Sequence, residues 1–105
     1  MLSKAAYSKR WGCDNSTYYK WERNRPELLE LLQTGAEQNA TRDGYPFCDD
    51  LEALCADNGF TTGELMRQSK IARNTIKNWM CDEQRIKRFW DLIEGMRTHV
   101  LLARV

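Results

Sequence analysis

The 105-residue sequence contains a single histidine (His99), two prolines and no apolar run near the roughly 20 residues that cross a bilayer. The lone histidine comes with no H-E-x-x-H pair, no glycine-rich phosphate loop and no nucleophile elbow, so nothing supplies a catalytic constellation and the chain is read as a non-enzyme. Acidic neighbours such as Asp49 and Asp50 do not substitute, because adjacent residues on a helix point about 100° apart. The four cysteines, Cys13, Cys48, Cys55 and Cys81, include no C-x-x-C pair, so no metal site and no cofactor are expected. They are read as buried free thiols of a reducing compartment, with Cys48 and Cys55, seven apart, on one helix face. Lys4, Lys9 and Arg10 interrupt any secretory apolar segment, which predicts a cytoplasmic protein without membrane contact. The glycosylation sequon Asn15-Ser16-Thr17 then carries no meaning. Strand-like alternation is almost missing as well, which leaves an all-α fold.

Charge is nearly balanced, at +1 overall, but it is not evenly spread. Residues 1–25 carry six basic groups against two acids, residues 26–64 carry Arg42 against nine acids, and residues 65–105 carry nine basic groups against four acids. Two basic ends flank an acidic middle. A nucleic-acid binder needs a local positive face rather than a positive total, and this pattern permits one.

Helix signals recur along the chain, predicting about seven short helices. Ser3 to Trp11 reads as a helix stopped by Gly12, and Asn15 to Glu22 as a second one, with Asp14, Asn15 or Ser16 as its cap. Pro26 suits the first position of a helix over Glu27 to Thr34, where Leu28, Leu29, Leu31 and Leu32 form a wide apolar stripe and Gly35 suits the stop. A linker at 39–45 separates this first unit, 1–38, from a second at 46–105. In the second unit a helical pattern runs from Pro46 to Asn58, with Phe47, Leu51, Leu54 and Cys55 on one face and Gly59-Phe60 closing it. Thr61-x-x-Glu64 is a capping-box pattern that opens a helix over Thr62 to Ser69. A further helix is expected near Arg73 to Met80, and a last one from about Glu83 to His99 with Ile86, Phe89, Trp90, Ile93 and Met96 inward.

Shifting the sequence by 58 residues aligns Thr17-Tyr18-Tyr19-Lys20-Trp21 with Thr75-Ile76-Lys77-Asn78-Trp79. The apolar frame around the two blocks aligns too: Tyr7 with Leu65, Cys13 with Ile71, and Leu28, Leu31 and Leu32 with Ile86, Phe89 and Trp90. Both stretches resemble the helix-turn-helix of the lambda-repressor-like (Cro/C1-type) family of phage and prophage regulators. Ser8, Gly12, Cys13, Tyr18 and Trp21 match its small, turn and buried positions in the first unit, as do Met66, Ile71, Ile76 and Trp79 in the second. Trp21-Glu22-Arg23-Asn24-Arg25-Pro26 is similar to the family's W-E-x-G-x-x-P ending, with Asn24 in place of Gly. The family also has a helix ahead of this pair, which the first unit does not supply. Leu28–Leu32 or the second half of the chain is expected to cover that face, giving one shared core. Lys70 falls where the first unit has Gly12, so the second turn is expected either to differ or to hold a strained left-handed residue at a cost of about 1–2 kcal/mol.

The resemblance implies a transcriptional regulator that binds double-stranded DNA and sets the second helix of a unit in the major groove. Its base-facing positions fall on Asn15, Ser16, Thr17, Tyr19 and Lys20, with Arg23 nearby, and on Arg73, Asn74, Thr75, Lys77 and Asn78. Lys9, Arg10, Arg67 and Lys70 join Arg23 as phosphate contacts. Arg binds guanine bidentately, Asn does so with adenine, and Ser or Thr serve either. Trp11, Tyr18, Trp21, Trp79 and Trp90 are read as core, whereas Tyr19 is read as exposed. Two assemblies stay open: a built-in pseudo-dimer reading half-sites about 34 Å apart, or a homodimer in which one unit binds DNA and the other joins the chains. The rival class is a protein-interaction module, such as an antirepressor or an inhibitor of a host protein, that kept the fold without reading DNA. Acids bordering the recognition helices would favour the rival, and a continuous positive surface the regulator.

Overall fold

The computed structural model describes residues 2–103, so Met1, Arg104 and Val105, the outer ends of the two units, lie outside the described residues. Within them the chain is all-α, with seven helices: α1 (Lys4–Trp11), α2 (Asn15–Asn24), α3 (Pro26–Gln38), α4 (Leu51–Asp57), α5 (Thr62–Ser69), α6 (Arg73–Met80) and α7 (Ile86–Ala103). No helix is long and apolar enough to cross a membrane.

Local chemistry sets most of the boundaries. Ser3 caps α1 by accepting the Ala6 N–H at 3.2 Å, and Asp14 caps α2 by accepting the Thr17 N–H at 2.8 Å. Thr61 and Glu64 form both halves of the expected capping box, each at 3.1 Å. Beyond α4, the Phe60 N–H reaches the Cys55 carbonyl and the Gly59 N–H the Ala56 carbonyl, both at 3.1 Å, and Phe60 is buried against the core. The 58-residue repeat holds in three dimensions: α1 and α5 start at Lys4 and Thr62, α2 and α6 at Asn15 and Arg73. Gly12 (φ 66°) and Lys70 (φ 59°) take the same left-handed turn. The second turn therefore keeps its shape and carries the strain, while the Lys70 carbonyl accepts a 2.7 Å hydrogen bond from Arg25.

Three expectations are corrected. Gly35 does not end α3; it lies inside the helix, where a Cβ would collide with the Asp91 carbonyl of α7, and Gly95 of α7 meets the Leu31 carbonyl in the same way. These glycines let two antiparallel helices approach backbone to backbone. The α4 helix starts at Leu51 rather than Pro46, because Asp50 caps it by accepting the Ala53 N–H. Phe47 and Cys48 therefore leave the helix face; Phe47 is exposed and the Cys48 N–H donates to the Met80 carbonyl. Finally, α7 starts at Ile86, since Asp82 builds a turn by accepting the Gln84 N–H at 2.8 Å.

The α3–α7 pair is the spine, and the two halves close over it reciprocally. Each unit's second helix packs on its own third helix (α2 on α3, α6 on α7), and each first helix packs on the third helix of the other unit (α1 on α7, α5 on α3). The four Leu residues of α3 are buried with Tyr7, Trp11, Ile76, Phe89, Leu92 and Ile93 in one cluster that draws on both halves, the shared core expected from the sequence. At its centre lies Asp91, with no exposed surface. Its carboxylate accepts hydrogen bonds from Arg10 Nε (2.6 Å) and Nη2 (2.8 Å), Trp11 Nε1 (2.6 Å) and Asn39 Nδ2 (3.0 Å). An ionised buried carboxylate needs this full set of donors to be tolerated.

Candidate nucleic-acid interface

The inner face of α2 is held by Tyr18, which stacks 6.2 Å from both Tyr7 and Trp11. That anchoring turns Asn15, Ser16, Tyr19, Lys20 and Arg23 outward, all exposed, with Thr17 half-buried. Several are already engaged locally. The Ser16 hydroxyl donates to Asp14 at 2.9 Å, and the same carboxylate is held down to about 2 by the Thr17 N–H, the Thr17 hydroxyl and Ser16. Tyr19 stands edge-on to Tyr18 under the Lys4 ammonium, 4.7 Å from the ring centre, and Lys4 also pairs with Glu22 at 3.2 Å. Lys20 and Arg23 form no ion pair among the described residues.

The helix α6 presents a different surface. Ile76, Trp79 and Met80 are buried, Arg73, Asn74 and Asn78 are exposed, and Thr75 and Lys77 are half-buried. Its first residue, Arg73, is paired with Glu52 of α4. An acid from the middle of the chain, Glu52, thus borders the start of α6. Two of the phosphate contacts implied by the resemblance are also committed elsewhere. The Arg10 side chain is mostly enclosed by Asp91 and Tyr45, and Lys70 pairs with Glu27 at 3.2 Å. Arg10 is a structural residue and is corrected as such. The thiols separate as well: Cys55 is buried and raised by burial, Cys13 and Cys48 are half-buried, and Cys81 is exposed, so the expectation of four buried thiols holds for Cys55 alone.

The helices α2 and α6 are brought together rather than spread. Trp21 and Trp79, equivalent under the repeat, have ring centres 6.2 Å apart. Between them lies the Arg88 guanidinium, 5.0 Å from the Trp21 ring and 4.7 Å from the Trp79 ring, and Arg88 Nε donates to the Trp11 carbonyl at 2.9 Å. The molecule measures 32 × 29 × 28 Å and these two rings are in contact, so α2 and α6 lie side by side rather than at the separation of about 34 Å that a built-in pseudo-dimer requires. Beside the tryptophans opens a groove of about 750 Å³ lined by Arg25, Lys70, Arg85 and Arg88, with Thr75 and Asn78 on its wall and no acidic side chain in its lining. Arg25, Arg85 and Arg88 were not candidates from the sequence. The signal for Arg88 was a charge four residues before Leu92, on the apolar stripe of α7.

No protein-family model matches the chain, and neither a curated protein nor a solved structure matches it.

Proposed function

We propose that the protein is a sequence-specific DNA-binding regulator in which α2 leads recognition in the major groove. The observation that carries this reading is the outward face of α2. Asn15, Ser16, Lys20 and Arg23 share an exposed surface on a helix pinned from behind by Tyr18 and Trp21, and neither cation forms an ion pair among the described residues. Asn74 and Asn78 of α6 add polar groups suited to base edges, while Arg73 is partly withdrawn by Glu52. Because one chain sets α2 and α6 side by side rather than a helical turn apart, each chain reads one half-site and a palindromic operator takes two chains.

One observation favours the rival reading, a protein-interaction module. The Arg73–Glu52 pair sets an acid at the start of the second recognition helix, where phosphates would otherwise come close. Selection from a random duplex pool, followed by a salt series, separates the two. Under the regulator reading, Lys20→Ala/Arg23→Ala weakens binding about tenfold or more and lowers the salt slope by about one to two, and Arg73→Ala/Lys77→Ala has a smaller effect. Affinity no better than about 100 µM at low salt, in the range of weak non-specific association, would overturn it.

A further inference from the structure

We propose that the groove between α2, α6 and α7 is a binding site for a phosphate group, carried either by a nucleic-acid backbone or by a free phosphorylated compound. This inference stands apart from the reading of α2, since the groove has its own chemistry.

The groove holds four cations against no lining acid. Two of them have outside partners: Arg85 pairs with Asp82 at 2.5 Å and Lys70 with Glu27 at 3.2 Å. Arg25 and Arg88 have no carboxylate partner among the described residues. Arg88 is the telling one, because only 5% of it is exposed, its direct protein contacts are the Trp11 carbonyl, two indole faces and the Cys13 thiol, and the carboxylate that acts on it, Asp82, is itself paired with Arg85. An enclosed cation with no carboxylate in direct contact is costly, and its counterpart Asp91 shows what this fold does when it buries a charge: it surrounds the charge with donors. Burial correspondingly pulls the Arg88 guanidinium below the ordinary arginine value. An anion seated in the groove would supply the direct contact that Asp82, paired with Arg85, does not give.

Phosphate fits better than carboxylate. It offers several acceptor oxygens to cations that approach from more than one element: Arg25 after α2, Lys70 in the α5–α6 turn, Arg85 before α7 and Arg88 within α7. Thr75 and Asn78 supply neutral donors on the same wall. The volume, about 750 Å³, accommodates a phosphate together with the group that carries it.

The test uses the full chain and its tryptophan fluorescence, since Trp21 and Trp79 line the groove. Pyrophosphate is titrated at constant ionic strength, with glutarate as the carboxylate control. A saturable change is expected with pyrophosphate and not with glutarate. Arg25→Gln/Arg85→Gln should weaken it at least about tenfold, since two charged donors are lost and each is worth about that much, and Lys87→Gln/Arg97→Gln, the same charge change elsewhere, should leave it intact. Arg88→Met also removes the hydrogen bond to Trp11 and endangers folding, so the exposed pair carries the test, with thermal melts checking that each variant stays folded. No saturable change, an equal response to glutarate, or equal weakening in both double variants would overturn the proposal.

A competition arm identifies the source of the phosphate. If pyrophosphate displaces a selected duplex, the groove holds the DNA backbone; if both bind together, it holds a free phosphorylated compound. Failure of duplex binding with the pyrophosphate site intact would reject the regulator and leave the groove standing.

Discussion

Replacing Asp91 by alanine tests the claim that one buried carboxylate ties the two halves together. The substitution strips four hydrogen bonds from three donors: Arg10 on α1, Trp11 at the end of α1, and Asn39 just after α3. Arg10 would keep its charge with its side chain only 16% exposed, and Trp11 has no exposed surface through which its N–H could reach water. Removing one partner of a buried pair costs about 3–5 kcal/mol, and stranded neutral donors add to it without summing fully. About 4 kcal/mol is expected, a large share of the roughly 5–15 kcal/mol that holds a domain together. At about 4–8 °C per kcal/mol, the melting midpoint should fall by roughly 15–30 °C. Thermal and urea unfolding followed by far-ultraviolet circular dichroism reads this directly, and Arg10→Met alone and combined with Asp91→Ala measures the coupling. The double variant should recover part of the loss, because the stranded charge is gone, but not all of it, since the Trp11 N–H stays unpaired and Asn39 keeps only its bond to the Trp90 carbonyl. A loss under about 1.5 kcal/mol, or strictly additive single variants, would refute the view that Asp91 acts as a paired and fully satisfied charge.

Gly95→Ala drives a methyl group into the Leu31 carbonyl at the helix crossing and should cost at least the upper end of about 1–3 kcal/mol in urea unfolding, whereas alanine at the open Gly44 should not destabilise. Lys70→Gly relieves a left-handed backbone and should raise stability by roughly 0.5–1 kcal/mol even though the exposed Glu27 pair is lost; a lower urea midpoint would contradict the strain argument. The Asp14 cap, held at about 2 against an ordinary 3.8, contributes stability that is complete above pH 3.8 and fades as pH falls through about 2. The gap in stability between wild type and Asp14→Ala should therefore narrow over that acid window, and a gap independent of pH would speak against the charged cap. A fragment of residues 1–45 should show little helix by circular dichroism, because α1 packs on α7 and its eight residues are too short to persist alone.

Much of the secondary structure was legible because its signals are local. Ser3, Asp14, Thr61 with Glu64, Pro26, Gly12 and Gly59 act within a turn of their own backbone, and the repeat of 58 residues carried the pairing of α1–α2 with α5–α6. The leucines of α3 and the tryptophan pair were legible as core for the same reason, since periodicity alone sets which face they share. Errors gathered where a residue's duty lay across the molecule. Gly35 reads locally as a stop and serves instead as a close contact with α7. Arg10 reads as a surface cation and turns out to bind Asp91, 81 positions away.

What the sequence determined by itself is thus the all-α class, the repeat and the side chains that α2 and α6 turn outward, because helical period and capping chemistry need only neighbours within a few residues. Only the tertiary structure decided how the two units meet. The glycine crossing of α3 and α7 draws them into a single core and sets Trp21 against Trp79, so that α2 and α6 lie side by side. The same packing gathers Arg25, Lys70, Arg85 and Arg88, far apart in the chain, around one groove. No local rule could foresee that, because the energy that assembles it comes from apolar surface buried between elements rather than within them.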